Sequence, residues 1–136
     1  MVKVIMGLKG SGKTKQLIDS INSAVKNEAG SMVCIEKGNA LTFDVDYRVR
    51  LIDASEYEIG SYAFLKGFIS GLHAGNFDIT NIFVDGLYKL SGTSDVEETA
   101  AFLAWCEAFG EANKMNFTLS VSDDAEKMPE SIAKYL

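Results

Sequence analysis

Proline and histidine each occur once in 136 residues, and cysteine and arginine twice each. Each scarcity closes off a class of protein. One proline, with scattered glycines in a chain that is 47% hydrophobic and 24% charged, excludes a disordered or low-complexity polymer. Cys34 and Cys106 both sit inside apolar runs (MVCIE and FLAWCEAF) and read as buried reduced thiols. With His73 as the lone histidine and no Cys-x-x-Cys, a structural zinc module is excluded. No apolar stretch approaches the roughly 20 residues needed to span a bilayer. The apolar run before Gly7 is too short for an export signal, so the expectation is a cytoplasmic chain without a membrane partner. The only arginines are Arg48 and Arg50, the net charge is −6, and no basic face is visible, which argues against a nucleic-acid partner. The length predicts one domain, residues 1–136.

What is present alternates between strand and helix. Val2–Met6, Ser31–Glu36, Val49–Asp53, Asn81–Asp85 and Asn116–Ser122 read as core strands. Leu41–Val45 is a candidate short extra strand after the Gly38-Asn39 turn. Helical spacing runs from Thr14 to Ala29, with Leu17, Ile18, Ile21 and Val25 on one stripe and Gly30 as the stop. A second helix opens at the cap Ser61 and runs to about Ala74, where Gly75 stops it. Ser94-Asp-Val-Glu97 has the form of a capping box for a long helix to about Asn113. Pro129 opens a final short helix. Strands alternating with helices imply an α/β fold, a mainly parallel sheet covered on both faces.

The strongest motif lies between the first strand and the first helix. Gly7-Leu8-Lys9-Gly10-Ser11-Gly12-Lys13-Thr14 matches G-x-x-x-x-G-K-[ST] at every fixed position. Glycines let the backbone turn tightly, so that its amides and the helix N-terminus form an anion nest for a phosphate chain. Lys13 is positioned to reach the β- and γ-phosphates, and Thr14 to offer its hydroxyl to Mg²⁺. Lys9 and Ser11 can touch phosphate or solvent with their side chains. The fourth strand, apolar up to Asp85, has the form of a Walker B segment, with Asp85 as the acidic partner for the metal's water shell.

These residues carry a resemblance. The chain looks like a P-loop NTPase of the RecA-like branch, whose order of elements it follows over residues 1 to 122. It also resembles the P-loop domain of thymidine-kinase-type enzymes, and more closely some short bacterial ATP-binding proteins labelled as twitching-motility, pilus-retraction ATPases. Such motors carry a second domain with arginine- and histidine-bearing motifs that have no counterpart here. The resemblance implies a three-layer P-loop sandwich of five strands. In it, Asn116–Ser122 lies between the two Walker strands, Ser31–Glu36 flanks Walker B on its other side, and Val49–Asp53 is outermost. It also implies Mg²⁺ and a nucleotide, with ATP as the default. Many relatives place a catalytic Glu directly after the Walker B Asp, where this chain has Gly86. RecA instead places a Glu after its second strand; Glu36 stands there and can orient the attacking water, or it is an ordinary strand-end charge. Ser122 can sense the γ-phosphate, cap the next turn with Asp123 and Glu126, or do both.

The expected function is an Mg-ATP-binding protein with weak or partner-dependent hydrolysis and Lys13, Glu36 and Asp85 as its catalytic set. A small-molecule (nucleoside-type) kinase and a non-hydrolysing nucleotide sensor are the alternatives. A protein partner or a homo-oligomer is compatible with each. Of the remaining candidates, Arg48 and Arg50 are either an intermolecular arginine finger or a solvated strand face. Tyr88, Lys89 and Leu90 can line the pocket mouth, whereas Phe102, Trp105 and Phe109 read as core or interface. Asp44, Asp46 and Asp53 read as solvated carboxylates.

Overall fold

The computed structural model describes residues 1–42 and 44–136. The described residues form five strands: β1 (Val2–Gly7), β2 (Ser31–Glu36), β3 (Val49–Asp53), β4 (Ile79–Val84) and β5 (Asn116–Ser122). They form one sheet in the order β1-β5-β4-β2-β3, with every neighbouring pair parallel. That is the order expected from the resemblance. Parallel neighbours need crossovers: α1 (Lys13–Asn27) leads from β1 to β2, α2 (Tyr62–Gly75) from β3 to β4, and α3 (Leu87–Ser91) and α4 (Val96–Asn113) from β4 to β5, whereas residues 37–48 join β2 to β3 with no helix among the described residues, and α5 (Glu130–Ala133) follows β5.

The side-chain alternation of the strands sorts the core into two layers. Ile5, Met32, Cys34 and Phe83 meet Leu17, Ile21, Ala24 and Val25 of α1 on one face. On the other, Val4, Ile35, Val84, Phe117 and Leu119 meet Leu65 and Ile69 of α2, Leu87 and Leu90 of α3, and Phe102, Leu103 and Cys106 of α4. Both cysteines are free and buried, and burial pushes their thiols well above the usual range. The β1 edge is covered by the C-terminal segment, where Val4 N–H donates to the Tyr135 carbonyl at 2.9 Å.

The strand and helix expectations need correction at a few ends. Leu41, Thr42, Asp44 and Val45 form turns rather than an extra strand, and Phe43 lies outside the described residues. Leu41 is nonetheless buried, at 1% exposure, so its apolar signal reported a loop anchored in the core. The cap of α4 is Asp95, one residue after Ser94; its carboxylate accepts from Glu98 N–H at 2.9 Å. Thr93 Oγ1 reaches Glu98 Oε2 at 3.2 Å, so Glu98 rather than Glu97 belongs to the box. Ser122 and Asp123 do not cap the turn after β5; Asp124 does, through Glu126 N–H at 3.0 Å. Helix α3 has no separate sequence signature, since Leu87–Ser91 is too short to show a period.

Candidate functional site

In a parallel sheet the loops that can hold a ligand collect at the carboxyl ends of the strands. The loop after β1 is built for an anion. Gly10 and Gly12 adopt φ of 83° and 85°, the left-handed region that side chains disfavour. Gly7 is held close to Ser11, whose side chain occupies the space a Cβ at position 7 would need. Ser11 N–H donates to the Leu8 carbonyl at 3.1 Å and closes the turn. Helix α1 then starts from Gly12, with no side-chain cap and no acidic residue in its first turn. Its leading amides and the positive end of its dipole are therefore not neutralised by the chain itself. Lys13 Nζ donates to the Leu8 carbonyl at 3.1 Å, which folds the lysine back over the loop.

A cavity of about 240 Å³ opens above this loop. Lys9, Gly10, Lys13, Thr14, Asp85 and Ser122 all line it. Of the remaining sequence-predicted residues, Gly7 ends β1, Gly12 starts α1, and Leu8 and Ser11 shape the loop without lining the cavity. Leu8 is 62% exposed and contributes its carbonyl. Tyr88 and Lys89 also line the cavity, whereas Leu90 is fully buried in the core and does not. Arg48 and Arg50 lie elsewhere, Arg48 directly before β3 and Arg50 near its start, and Arg48 pairs with Asp46 at 3.0 Å. Asp53 anchors local backbone: its Oδ1 accepts from Ser55 Oγ at 2.6 Å and from Gly38 N–H at 2.8 Å, which hold its carboxyl below the usual range.

Asp85 stands one residue past β4, and its N–H donates to the Ile35 carbonyl at 2.9 Å, extending the β2–β4 register. Alternation then places Asp85 with Phe83, Glu36 with Cys34, and Ser120 with Thr118, all on the α1 face at the carboxyl ends of three adjacent strands. Ser120 belongs to no sequence motif. Its hydroxyl donates to Asp85 Oδ1 at 3.0 Å and accepts from Gly86 N–H at 2.8 Å. At 2% exposure it also lines the cavity. Its period-2 offset from Ser122 is the available signal, but only the β4–β5 register reveals which serine faces Asp85.

Glu36 is 2% exposed, and its Oε2 has no hydrogen-bond partner among the described residues. Burial raises its carboxyl above the usual range; the backbone amides of Leu41 and Ala40 oppose that rise, and the nearby Asp85 and Asp53 charges add to it. The residue lies beside Asp85, yet the cavity lining includes its neighbour Lys37 and not Glu36 itself. Among the described residues no group of three or more His, Cys, Asp or Glu side chains gathers to hold a metal. Thr14 and Asp85 on one cavity fit a cation that takes most of its oxygens from water and phosphate, as Mg²⁺ does.

The fold is similar to that in the crystal structure of flagellar accessory protein FlaH from Methanocaldococcus jannaschii, with a TM-score of 0.60 and 15% sequence identity. The match covers 98% of this chain but 65% of that one, so the chain spans less than two thirds of its neighbour's length. At that identity the likeness is one of fold: a RecA-like α/β sandwich with an all-parallel five-stranded sheet. It carries no link to pilus retraction. No protein-family profile and no curated protein matches the chain. Among the described residues, no helix is long and apolar enough to cross a membrane.

Proposed function

We propose that the chain binds Mg-ATP through the loop Gly7–Thr14 and hydrolyses it slowly, or only with a partner. The observation that carries this reading is the convergence of Lys13, Thr14 and Asp85 on one cavity at the uncapped N-terminus of α1. The loop amides and Lys13 bind and orient the phosphate chain. To do so, Lys13 exchanges the Leu8 carbonyl for phosphate oxygens. Thr14 and Asp85 would hold Mg²⁺, and the ion would supply charge neutralisation on the phosphate chain. Ser120 fixes one oxygen of Asp85, which orients the carboxylate. Ser122, at the end of β5, lines the same cavity, which supports its role as a contact to the terminal phosphate.

Glu36 is the candidate to orient the attacking water, because Gly86 has no side chain and Glu36 stands beside Asp85. Its burial and its absence from the cavity lining support a low basal rate, since a loop or side-chain movement must precede that role. The same observation favours a second reading, a nucleotide-responsive switch without turnover.

Thermal shift with and without Mg-ATP tests binding. Ligand at about 100 times its dissociation constant adds roughly 2.7 kcal/mol, several degrees for a chain of this size. Lys13→Ala removes most of that shift if the loop is the site; equal shifts in both proteins refute the assignment. Release of phosphate by wild type but not by Glu36→Gln, with ATP binding retained, assigns the water-orienting role. Absence of turnover in wild type, alone and with partners, leaves the switch.

A further inference from the structure

The cavity above the phosphate loop is strongly cationic in a chain of net charge −6: Lys9, Lys13, Lys37 and Lys89 line it, and among the described residues Asp85 is its only carboxylate. The ion pairs among the described residues are Arg48–Asp46 and Lys127–Asp124, so none of the four lysines is neutralised there. Lys9 and Lys13 belong to the loop. Lys37 and Lys89 come from outside it, and each is placed by the strand ends that carry the acidic residues. Lys37 follows Glu36 directly at the end of β2, and both it and Lys89 are exposed at their positions. Lys89 sits in the last turn of α3, and its stem passes over Gly86, where its Cδ lies 3.6 Å from the position a Cβ would take. A Cβ there would make only ordinary van der Waals contact with that stem, so the glycine after Asp85 answers to its φ of 76°, while the Lys89 stem packs over it and reaches the cavity.

We propose that Lys37 and Lys89 clamp the terminal phosphate of a bound nucleoside triphosphate from within the same chain, so that the site distinguishes triphosphate from diphosphate by charge at its far end. The inference rests on the nucleotide reading of the loop and adds the ligand's distinguishing group. The loop amides cradle the inner phosphates and Lys13 reaches the β- and γ-phosphates. A γ-phosphate brings further negative charge that a single lysine balances only in part, and the unpaired Lys37 and Lys89 ammonium groups are point charges suited to the rest. The chain's two arginines are remote from this cavity, so the lysines supply the cations available in cis. The lining offers Tyr88 as its one aromatic side chain and no large aliphatic one, which directs recognition to the phosphates.

The test is isothermal titration of the purified chain with Mg-ATP, Mg-ADP, and the base-free probes Mg-tripolyphosphate and Mg-pyrophosphate. Wild type binds ATP about tenfold or more tightly than ADP, and tripolyphosphate more tightly than pyrophosphate. Lys37→Gln and Lys89→Gln each weaken ATP about three- to tenfold and ADP less than about twofold; the double variant loses the preference. Lys89→Arg keeps it. Both positions are exposed, so the ligand-free melting temperatures stay within about 2 °C of wild type, which separates loss of binding from loss of fold. The clamp is overturned, with the nucleotide site intact, if ATP binds, Lys13→Ala abolishes that binding, and the double glutamine variant keeps the wild-type ATP-to-ADP ratio. If wild type binds none of the four probes, or Lys13→Ala binds as wild type does, the nucleotide reading itself fails and the clamp falls with it.

Discussion

Replacing Ser120 by alanine deletes one oxygen and disturbs two bonds at once. The hydroxyl proton goes to Asp85 Oδ1 at 3.0 Å, and the hydroxyl oxygen takes the Gly86 N–H at 2.8 Å. Ser120 is 2% exposed, so water replaces this geometry poorly. A net hydrogen bond to a charged acceptor contributes about 1.5 kcal/mol or more, and a buried amide left without an acceptor costs about 1–3 kcal/mol. Solvent reaches Asp85 and Gly86 from the cavity and recovers part of both, which leaves a net cost of about 2 kcal/mol. Unfolding entropy is about 2.1 cal/mol/K per residue, so 136 residues give about 0.29 kcal/mol/K. The melting temperature of Ser120→Ala should therefore fall by about 7 °C, read by circular dichroism without ligand. Repeating the substitution in an Asp85→Ala background isolates the pair. There the Ser120 effect should shrink by about 1 kcal/mol, because the charged acceptor is already gone. A Ser120→Ala protein that melts within 1 °C of wild type, or a fall that is the same in both backgrounds, refutes the claim that this hydroxyl joins β5 to Asp85. If the nucleotide reading holds, the same variant should also need more Mg²⁺ for its ATP-induced shift, since Asp85 loses its orienting partner.

Glu36 makes a pH prediction. Its folded-state carboxyl is raised above the ordinary value, chiefly by burial, so its stabilising contribution is complete below the unfolded value and is lost as pH rises through the folded one. Glu36→Gln should match wild type near pH 4 and become the more stable protein as pH rises above the ordinary carboxylate range; melting curves from pH 4 to 8 that run parallel contradict this. Two helical glycines should respond to alanine with opposite signs. A methyl added at Gly71 of α2 would meet nothing within 4 Å, so Gly71→Ala should stabilise by up to about 1 kcal/mol. At Gly110 of α4 the methyl would lie 2.5 Å from the Met115 carbonyl oxygen, so Gly110→Ala should lower the melting temperature by several degrees despite alanine's better helix propensity. Removal of the Phe102 ring, fully buried against stacked Tyr62 at 4.8 Å, should cost about 3–5 kcal/mol in denaturant unfolding.

Much of this architecture is local and therefore readable along the chain. Ser31–Glu36 and Asn116–Ser122 are nearly continuous buried runs bounded by turn residues, Val49–Asp53 is a shorter apolar run with Arg50 exposed, and all three strands have the same limits in the structure. The phosphate loop is equally local, because eight consecutive residues contain the glycines, the lysine and the helix start that its conformation needs. The strand order came from resemblance rather than from any local signal. Element ends were less legible where two neighbours both suit a cap. Ser94 and Asp95 each can cap α4, and the geometry at Thr93 and Glu98 decides for Asp95. Leu41–Val45 has the apolar content of a strand, but a residue can be buried by a loop that folds onto the sheet.

The chemistry-bearing neighbours are the part that only the tertiary structure decides. Sequence identifies Lys13, Thr14 and Asp85 by motif, because phosphate and metal binding constrain those residue types at fixed offsets. Whether Ser120 or Ser122 meets Asp85, whether Lys37 or Glu36 faces the cavity, and where Lys89 reaches depend on register across β2, β4 and β5 and on the stem of Lys89 passing over Gly86. A two-residue slide of β5 along β4 would bring Ser122 opposite Asp85 on the same face, a one-residue slip would turn a strand's side chains to the other face, and no single strand's sequence specifies its alignment with a neighbour more than 30 residues away.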